Sequence, residues 1–240
     1  CLNGDDRYDS DDDGVPNDCD FERDLLGEKN NLVSFYAIPD DNSLESMFNW
    51  HDCNFSDLIS DGEAAKIIID DIWFGSLDNI EPERGYWLKS DSLLTPSEDC
   101  LDSYEIAGNF VGDLVYALDF SNNLVSYPYS SAITEVSDLN NLCNNGDIAA
   151  IITQGKASMC IDNEFMGSLQ YFEPGYGYWI RVENESGIEF TYPEPGQNDL
   201  SRKIVAVSKV PNEFSFSQST KQAFYFIEDI SFESNDIITR

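Results

Sequence analysis

The residues with the most chemistry in their spacing lie at the amino end. Asp9, Asp11 and Asp13 alternate, Gly14 follows, and then come Val15, Asn17 and Asp20. Counted from Asp9, these occupy positions 1, 3, 5, 6, 7, 9 and 12. A calcium loop of the EF-hand type needs oxygens at 1, 3 and 5, a main-chain carbonyl at 7, a ligand or bound water at 9 and a carboxylate at 12. Glycine at 6 permits the sharp turn. The spacing meets each requirement, with Asp20 in place of the usual Glu, so the expected cofactor is Ca2+. Its ligands would be Asp9, Asp11, Asp13, the Val15 carbonyl, Asn17 and Asp20.

Energetics point the same way. Eight Asp crowd the first twenty residues and repel one another by roughly 1 kcal/mol per close pair in water. A bound cation relieves that repulsion. An all-oxygen donor set suits calcium better than zinc, which prefers nitrogen and sulfur. No amphipathic helix pattern flanks the loop, which speaks against a sensor that opens a helix pair.

The stretch Tyr8-Asp9-Ser10-Asp11-Asp12-Asp13-Gly14-Val15-Pro16-Asn17-Asp18-Cys19-Asp20 resembles a thrombospondin type 3 calcium repeat. That resemblance implies an extracellular, calcium-stiffened spacer between modules, with Asp9, Asp11, Asp13, Asn17 and Asp20 as side-chain ligands. Here a single loop is visible, and Asn17 stands where the family usually has Asp.

The 240 residues are 41% apolar and 13% aromatic, enough for folded cores, and the formal charge is −33 from 13 basic and 46 acidic residues. Such an acid excess speaks against nucleic acid and anionic membrane surfaces, whose binding needs clustered Lys and Arg. No run of about eighteen apolar residues and no signal peptide is seen, so no membrane insertion is expected. A chain that starts at Cys1 reads as a fragment of something larger.

Cys1, Cys19, Cys53, Cys100, Cys143 and Cys160 are even in number and contain no Cys-x-x-Cys pair. With one His in the chain, disulfides in an oxidising compartment account for them better than zinc or redox sites. Cys1 with Cys19 would bridge the calcium unit. Cys53 with Cys100 and Cys143 with Cys160 are expected because each pair lies within one module.

The chain also repeats itself. Asn30-Asn31-Leu32-Val33-Ser34-Phe35 returns as Asn122-Asn123-Leu124-Val125-Ser126-Tyr127. Gly75-Ser76-Leu77, Glu81-Pro82 and Gly85-Tyr86-Trp87 return as Gly167-Ser168-Leu169, Glu173-Pro174 and Gly177-Tyr178-Trp179, all displaced by 92. Between these anchors Ile59 and Gly62 match Ile152 and Gly155 at 93, so one residue is gained and later lost. The pattern resembles a repeat of very large secreted or cell-surface proteins of marine bacteria, a resemblance that carries no activity with it.

Each copy reads as mainly β with a short helix. Leu32 to Ala37 and Leu124 to Tyr129 are β-type runs. Asn42 with Glu45 makes a capping box before a helical stripe of Leu44, Met47, Phe48 and His51. Thr134 caps the second stripe, Val136, Leu139 and Cys143. The Ile-rich strand Ala65 to Asp70 is matched with Ala149 to Thr153, and Ile72 to Leu77 with Gly85 to Ser90 forms a closing hairpin. The organisation expected is a calcium loop over 1–24, repeat domains over 25–103 and 104–190, a linker and strand over 191–211, and the start of a further β module over 212–240. In that last part strands are expected at 204–210, 214–220 and 223–230. The fold class is α+β in the mainly-β sense, with two duplicated small domains.

Aromatic residues at Trp73, Trp87 and Trp179 could form sugar-stacking or interface platforms, but alternation along a strand sends one of Tyr86 and Trp87 into the core. Gly75, Gly85, Gly167 and Gly177 read as positions of positive φ or tight approach. Catalysis finds no support: His51 sits on the apolar helical stripe and Cys143 replaces it in the second copy. The acid pairs Asp70-Asp71 and Glu81-Glu83 are commonplace among 46 carboxylates. Asn54-Phe55-Ser56 and Asn184-Glu185-Ser186 match the glycosylation pattern. The reading is therefore a non-catalytic extracellular or cell-surface module with structural or adhesive work, part of a larger surface or filament protein. Its partners would be other copies, other surface proteins or glycans. A carbohydrate-binding module and a virion or particle coat protein are the alternatives.

Overall fold

A computed structural model of the chain describes residues 14–23, 25, 30–48, 55–69, 72–90, 104–130 and 134–193. The chain divides into two compact units, Cys1–Asn198 and Asp199–Arg240, and all described residues belong to the first. The strands expected beyond 204, and the segment from 194 onward, lie outside the described residues.

The first copy contains β1 (Asp20–Arg23), β2 (Asn30–Val33), β3 (Ala37–Ile38), α1 (Leu44–Phe48), β4 (Phe55–Ile59), β5 (Ala64–Ile69), β6 (Ile72–Gly75), β7 (Tyr86–Ser90), β8 (Tyr104–Ala107) and β9 (Asn109–Phe110). The second contains β10 (Tyr116–Leu118), β11 (Ser121–Val125), β12 (Thr134–Glu135), a 3-10 turn (Val136–Leu139), α2 (Asn140–Asn144), β13 (Ile148–Thr153), β14 (Lys156–Ile161), β15 (Glu164–Gly167), β16 (Tyr171–Phe172), β17 (Tyr178–Val182) and β18 (Ile188–Phe190). The fold is mainly β with short helices. Each copy is built on a five-stranded antiparallel sheet, in the orders β2-β7-β4-β5-β6 and β11-β17-β13-β14-β15.

Period-two alternation decides which face is buried. Val33, Tyr86, Leu88, Leu58 and Ala65 face inward onto α1, whose Leu44, Met47 and Phe48 are all buried. Leu44, Met47 and Phe48 of the expected helical stripe are therefore the residues that pack, and His51 lies outside the described residues. The second core repeats this with Val125, Tyr178, Ile180, Ile151 and Leu139.

Several expectations are revised. Ser43, not Asn42, caps α1, since its hydroxyl accepts the Ser46 N–H at 3.3 Å while the Asn42 amide reaches the Ile80 carbonyl at 2.8 Å. Thr134 is a strand residue opposite Phe172, and Glu135 precedes the 3-10 turn without a side-chain cap. The strand matching Ala149 to Thr153 is β4, and β5 matches β14. The Ile-rich composition shared by neighbouring strands obscured this. The extra residue of the first copy is a β-bulge between Ile67 and Ile69 on β5, absent from the β14–β15 pairing.

The closing hairpin is not formed. β6 pairs with β5 at the sheet edge, and β7 crosses to the middle between β2 and β4. The Glu81-Pro82 stretch thus spans the sheet rather than turning a hairpin. Tyr104 and Ile106 of β8 belong to the first core and pair with β1, so that strand completes the first copy although it lies past residue 103.

The two copies interlock through their main chains about a pseudo-twofold axis. Val33 bridges Tyr176, and Arg84 bridges Val125. The Ser34 N–H donates to the Gly175 carbonyl at 3.0 Å and Gly177 N–H to Leu32 at 3.2 Å. Their counterparts are Ser126 N–H to Glu83 at 3.0 Å and Gly85 N–H to Leu124 at 3.2 Å. The ends of edge strands β2 and β11, which would otherwise offer unpaired N–H and C=O groups, are each closed by the other copy. Gly85 and Gly177 meet here: a Cβ on Gly177 would lie 2.8 Å from the Val33 oxygen and 3.3 Å from the Gly85 Cα.

One half of the interlock is more complete. The Gln154 amide accepts the Leu32 N–H at 3.0 Å and donates to the Asn30 carbonyl at 3.4 Å, covering the β2 edge. In the alignment of the two copies Asp61 is the counterpart of Gln154, and a carboxylate cannot donate. Asp61→Gln is expected to raise stability by about 1 kcal/mol by pairing Leu124 and Asn122 in the same way. Gly177→Ala is expected to lower it by about 1–3 kcal/mol through overpacking. Denaturant unfolding of both variants beside the parent chain measures each.

Candidate functional site

The duplicated signature is structural in each of its parts except the tryptophan that ends it, which faces away from the cores. In Gly-Ser-Leu, a Cβ on Gly75 or Gly167 would sit 2.0 or 2.1 Å from the Ala64 or Ala157 oxygen, so only glycine fits. The next hydroxyl accepts the Ala64 N–H at 3.2 Å or the Ala157 N–H at 3.1 Å, and Leu77 and Leu169 plug the cores. In Glu-Pro-x-x-Gly-Tyr-Trp, the phenol oxygens of Tyr86 and Tyr178 accept the Glu81 and Glu173 N–H groups at 2.7 Å in both copies. This fixes the five-residue spacing. Ser34 and Ser126 reach across the joint, donating to the Tyr176 carbonyl at 2.7 Å and the Pro82 carbonyl at 2.5 Å.

The acidic loop is described only from Gly14. Gly14 has φ +93°, the left-handed conformation that suits glycine at the sharp turn of a calcium loop. Val15 and Asn17 lead into a turn closed by the Cys19 N–H donating to Pro16 O at 2.7 Å. Asp20 begins β1, and its carbonyl accepts the Tyr36 hydroxyl at 2.9 Å. Asp18 accepts a hydrogen bond from the Ser130 hydroxyl of the second copy. Asp9, Asp11 and Asp13 lie outside the described residues. Among the described residues no three His, Cys, Asp or Glu side chains gather to hold a metal.

Cys143 and Cys160 are bonded, with Cα atoms 5.4 Å apart, tying α2 to β14. Cys19 is also disulfide-bonded. Cys1, Cys53, Cys100 and His51 lie outside the described residues, as does Asn54. The Asn184 amide is already engaged, accepting the Ser186 N–H at 3.1 Å and donating to Asp147 at 3.0 Å.

The three candidate tryptophans separate. Trp73 is buried in the first core beside Phe48. Trp87 and Trp179 are half-buried on the outer sheet faces, opposite the fully buried Tyr86 and Tyr178. Each lies in the same row across its sheet, Leu32-Trp87-Ile59-Ala64 in one copy and Leu124-Trp179-Ile152-Ala157 in the other, with Leu32 and Leu124 buried at the joint between copies.

The next outward row differs between copies: Lys89-Asp57-Lys66-Phe74 against Arg181-Ala150-Met159-Met166. In the first copy, Lys66 and Lys89 lie 3.3 and 3.2 Å from the two oxygens of Asp57, which also accepts the Ser56 hydroxyl at 2.8 Å. Partial burial pushes the Asp57 carboxyl upward, yet the bonds from Ser56, Lys89 and Lys66 hold it below its usual range. Sequence reading missed this cluster, because its three members come from three strands.

Burial also raises the phenols of Tyr86, Tyr104, Tyr116 and Tyr192, and lifts Tyr127 to about 12. These rings are core; in the second copy Tyr192 meets Phe172 edge-to-face while Tyr127 stacks on it. Tyr104 donates to the Met47 carbonyl, whereas the Tyr192 hydroxyl is buried with no partner among the described residues.

Among the described residues, no helix is long and apolar enough to cross a membrane. No family model, curated protein or solved structure matches the chain.

The two tyrosines should respond differently to loss of the hydroxyl. Tyr192→Phe removes an unsatisfied buried group and is expected to leave stability unchanged or raise it by up to about 1 kcal/mol. Tyr104→Phe leaves the Met47 carbonyl unpaired and is expected to cost about 1–2 kcal/mol. Thermal unfolding of the two variants checks the contrast.

Proposed function

We propose that this chain is a non-catalytic extracellular structural or adhesive module, stiffened by calcium at its amino end and belonging to a larger surface or filament protein. The main-chain interlock carries this reading. Two bodies joined by reciprocal hydrogen bonds, with the ends of β2 and β11 each closed by the other copy, make a stiff block suited to display. The signature that the duplication preserves is consumed in building that block.

The Cys143–Cys160 bridge supports an oxidising location. The positive φ of Gly14 supports the calcium loop, whose last ligand would be Asp20. Asp20 leads directly into Phe21, fully buried against Phe35 and Tyr36, so the loop would join the block without a slack linker. Other copies or other surface proteins are the partners this reading implies.

Limited proteolysis with calcium and with EDTA tests it. Chelation is expected to open cleavage before Cys19 while the block from Asp20 to Pro193 stays intact. An identical cleavage pattern in the two conditions would overturn the calcium role.

A further inference from the structure

We infer that the outer face of the first sheet is a binding site for a polysaccharide whose sugars carry carboxylate or sulfate groups. This names the target of the adhesive role proposed above and rests on that reading. Trp87 offers a half-buried indole flanked on its row by Ile59, which is 48% exposed. Two residues along the same strand, and therefore on the same face, stands Lys89. Its ammonium and that of Lys66 are drawn to opposite oxygens of Asp57, 3.2 and 3.3 Å away. Asp57 is the positioning residue: it stays ionised and holds each ammonium from one side, while the Lys66 and Lys89 side chains remain 61% and 44% exposed.

The cluster retains one net positive charge on a chain of −33. With 46 acidic residues to 13 basic, two lysines in one outward row are a local reversal of the surface. An anionic group seated between them meets complementary charge, and the neighbouring indole stacks a sugar ring. The rest of the acidic body repels broad polyanions such as membranes, but a thin chain touches only this face, within a Debye length of about 8 Å at physiological salt. The second copy is an internal control. It keeps the Leu-Trp-Ile-Ala row but has Ala150 and Met159 where the first has Asp57 and Lys66.

The experiment is gel electrophoresis of the full chain through immobilised polygalacturonate, chondroitin sulfate, neutral mannan and poly-glutamate, with EDTA present so that calcium cannot bridge polyanions. Retardation by polygalacturonate, chondroitin sulfate or both is expected, with the pair telling carboxylate from sulfate preference. Mannan and poly-glutamate should not retard. The doubly substituted Lys66→Gln, Lys89→Gln chain, altered only at exposed side chains, should lose at least tenfold in affinity, as should Trp87→Ala. Trp179→Ala should change it less than twofold. The proposal is overturned if no acidic polysaccharide retards the chain, if mannan or poly-glutamate retards it equally, or if the lysine double variant keeps its affinity. Because the assay runs without calcium, its failure leaves the proteolysis result standing, and the reverse holds too.

Discussion

Four main-chain hydrogen bonds around the pseudo-twofold axis hold the rest of the structure in place. They run between Ser34 and Gly175, Gly177 and Leu32, Ser126 and Glu83, and Gly85 and Leu124. Main-chain bonds of this kind need backbones at close range, and side chains on Gly85 or Gly177 would forbid it. The two glycines are therefore as demanding as any core residue. Buried N–H and C=O groups must find partners, and here each copy's strand ends find theirs in the other copy.

From that constraint the role of the recurring residues follows. Ser34 and Ser126 are fully buried hydroxyls that would be costly unpaired, and the opposite copy supplies the carbonyls they need. Tyr86 and Tyr178 turn a polar atom toward the Glu-Pro stretch that leads into the joint, while their rings fill the cores. A duplication free to drift would have lost such couplings. Their presence in both copies ties the recurring residues to the joint as well as to the cores.

Much of the architecture was legible in the sequence because it is local. Alternation required that one of Tyr86 and Trp87 enter the core, which proves to be Tyr86, and helical spacing picked out Leu44, Met47 and Phe48. What was hidden is non-local. Strand order depends on where β7 returns after a ten-residue excursion, and neither Ile72 to Leu77 nor Gly85 to Ser90 encodes that in its own pattern. The equivalence of β4 with β13 was masked by isoleucines common to adjacent strands, and the Asp57 cluster by assembly across β4, β5 and β7. The cap at Ser43 was obscured by an adjacent Asn that fits the same motif, and only the pull of the Ile80 carbonyl on Asn42 separates them.

The short strands that frame each body carry a further implication. Asp20 lies opposite Ala107, and Tyr116 opposite Phe190, so the polypeptide comes into each body and departs from it at nearly the same point. A body built this way behaves like a bead on a thread: it can be spliced into a surface loop or copied in the gene without stretching what surrounds it. Recombination thus had an inexpensive route from one such bead to the present pair.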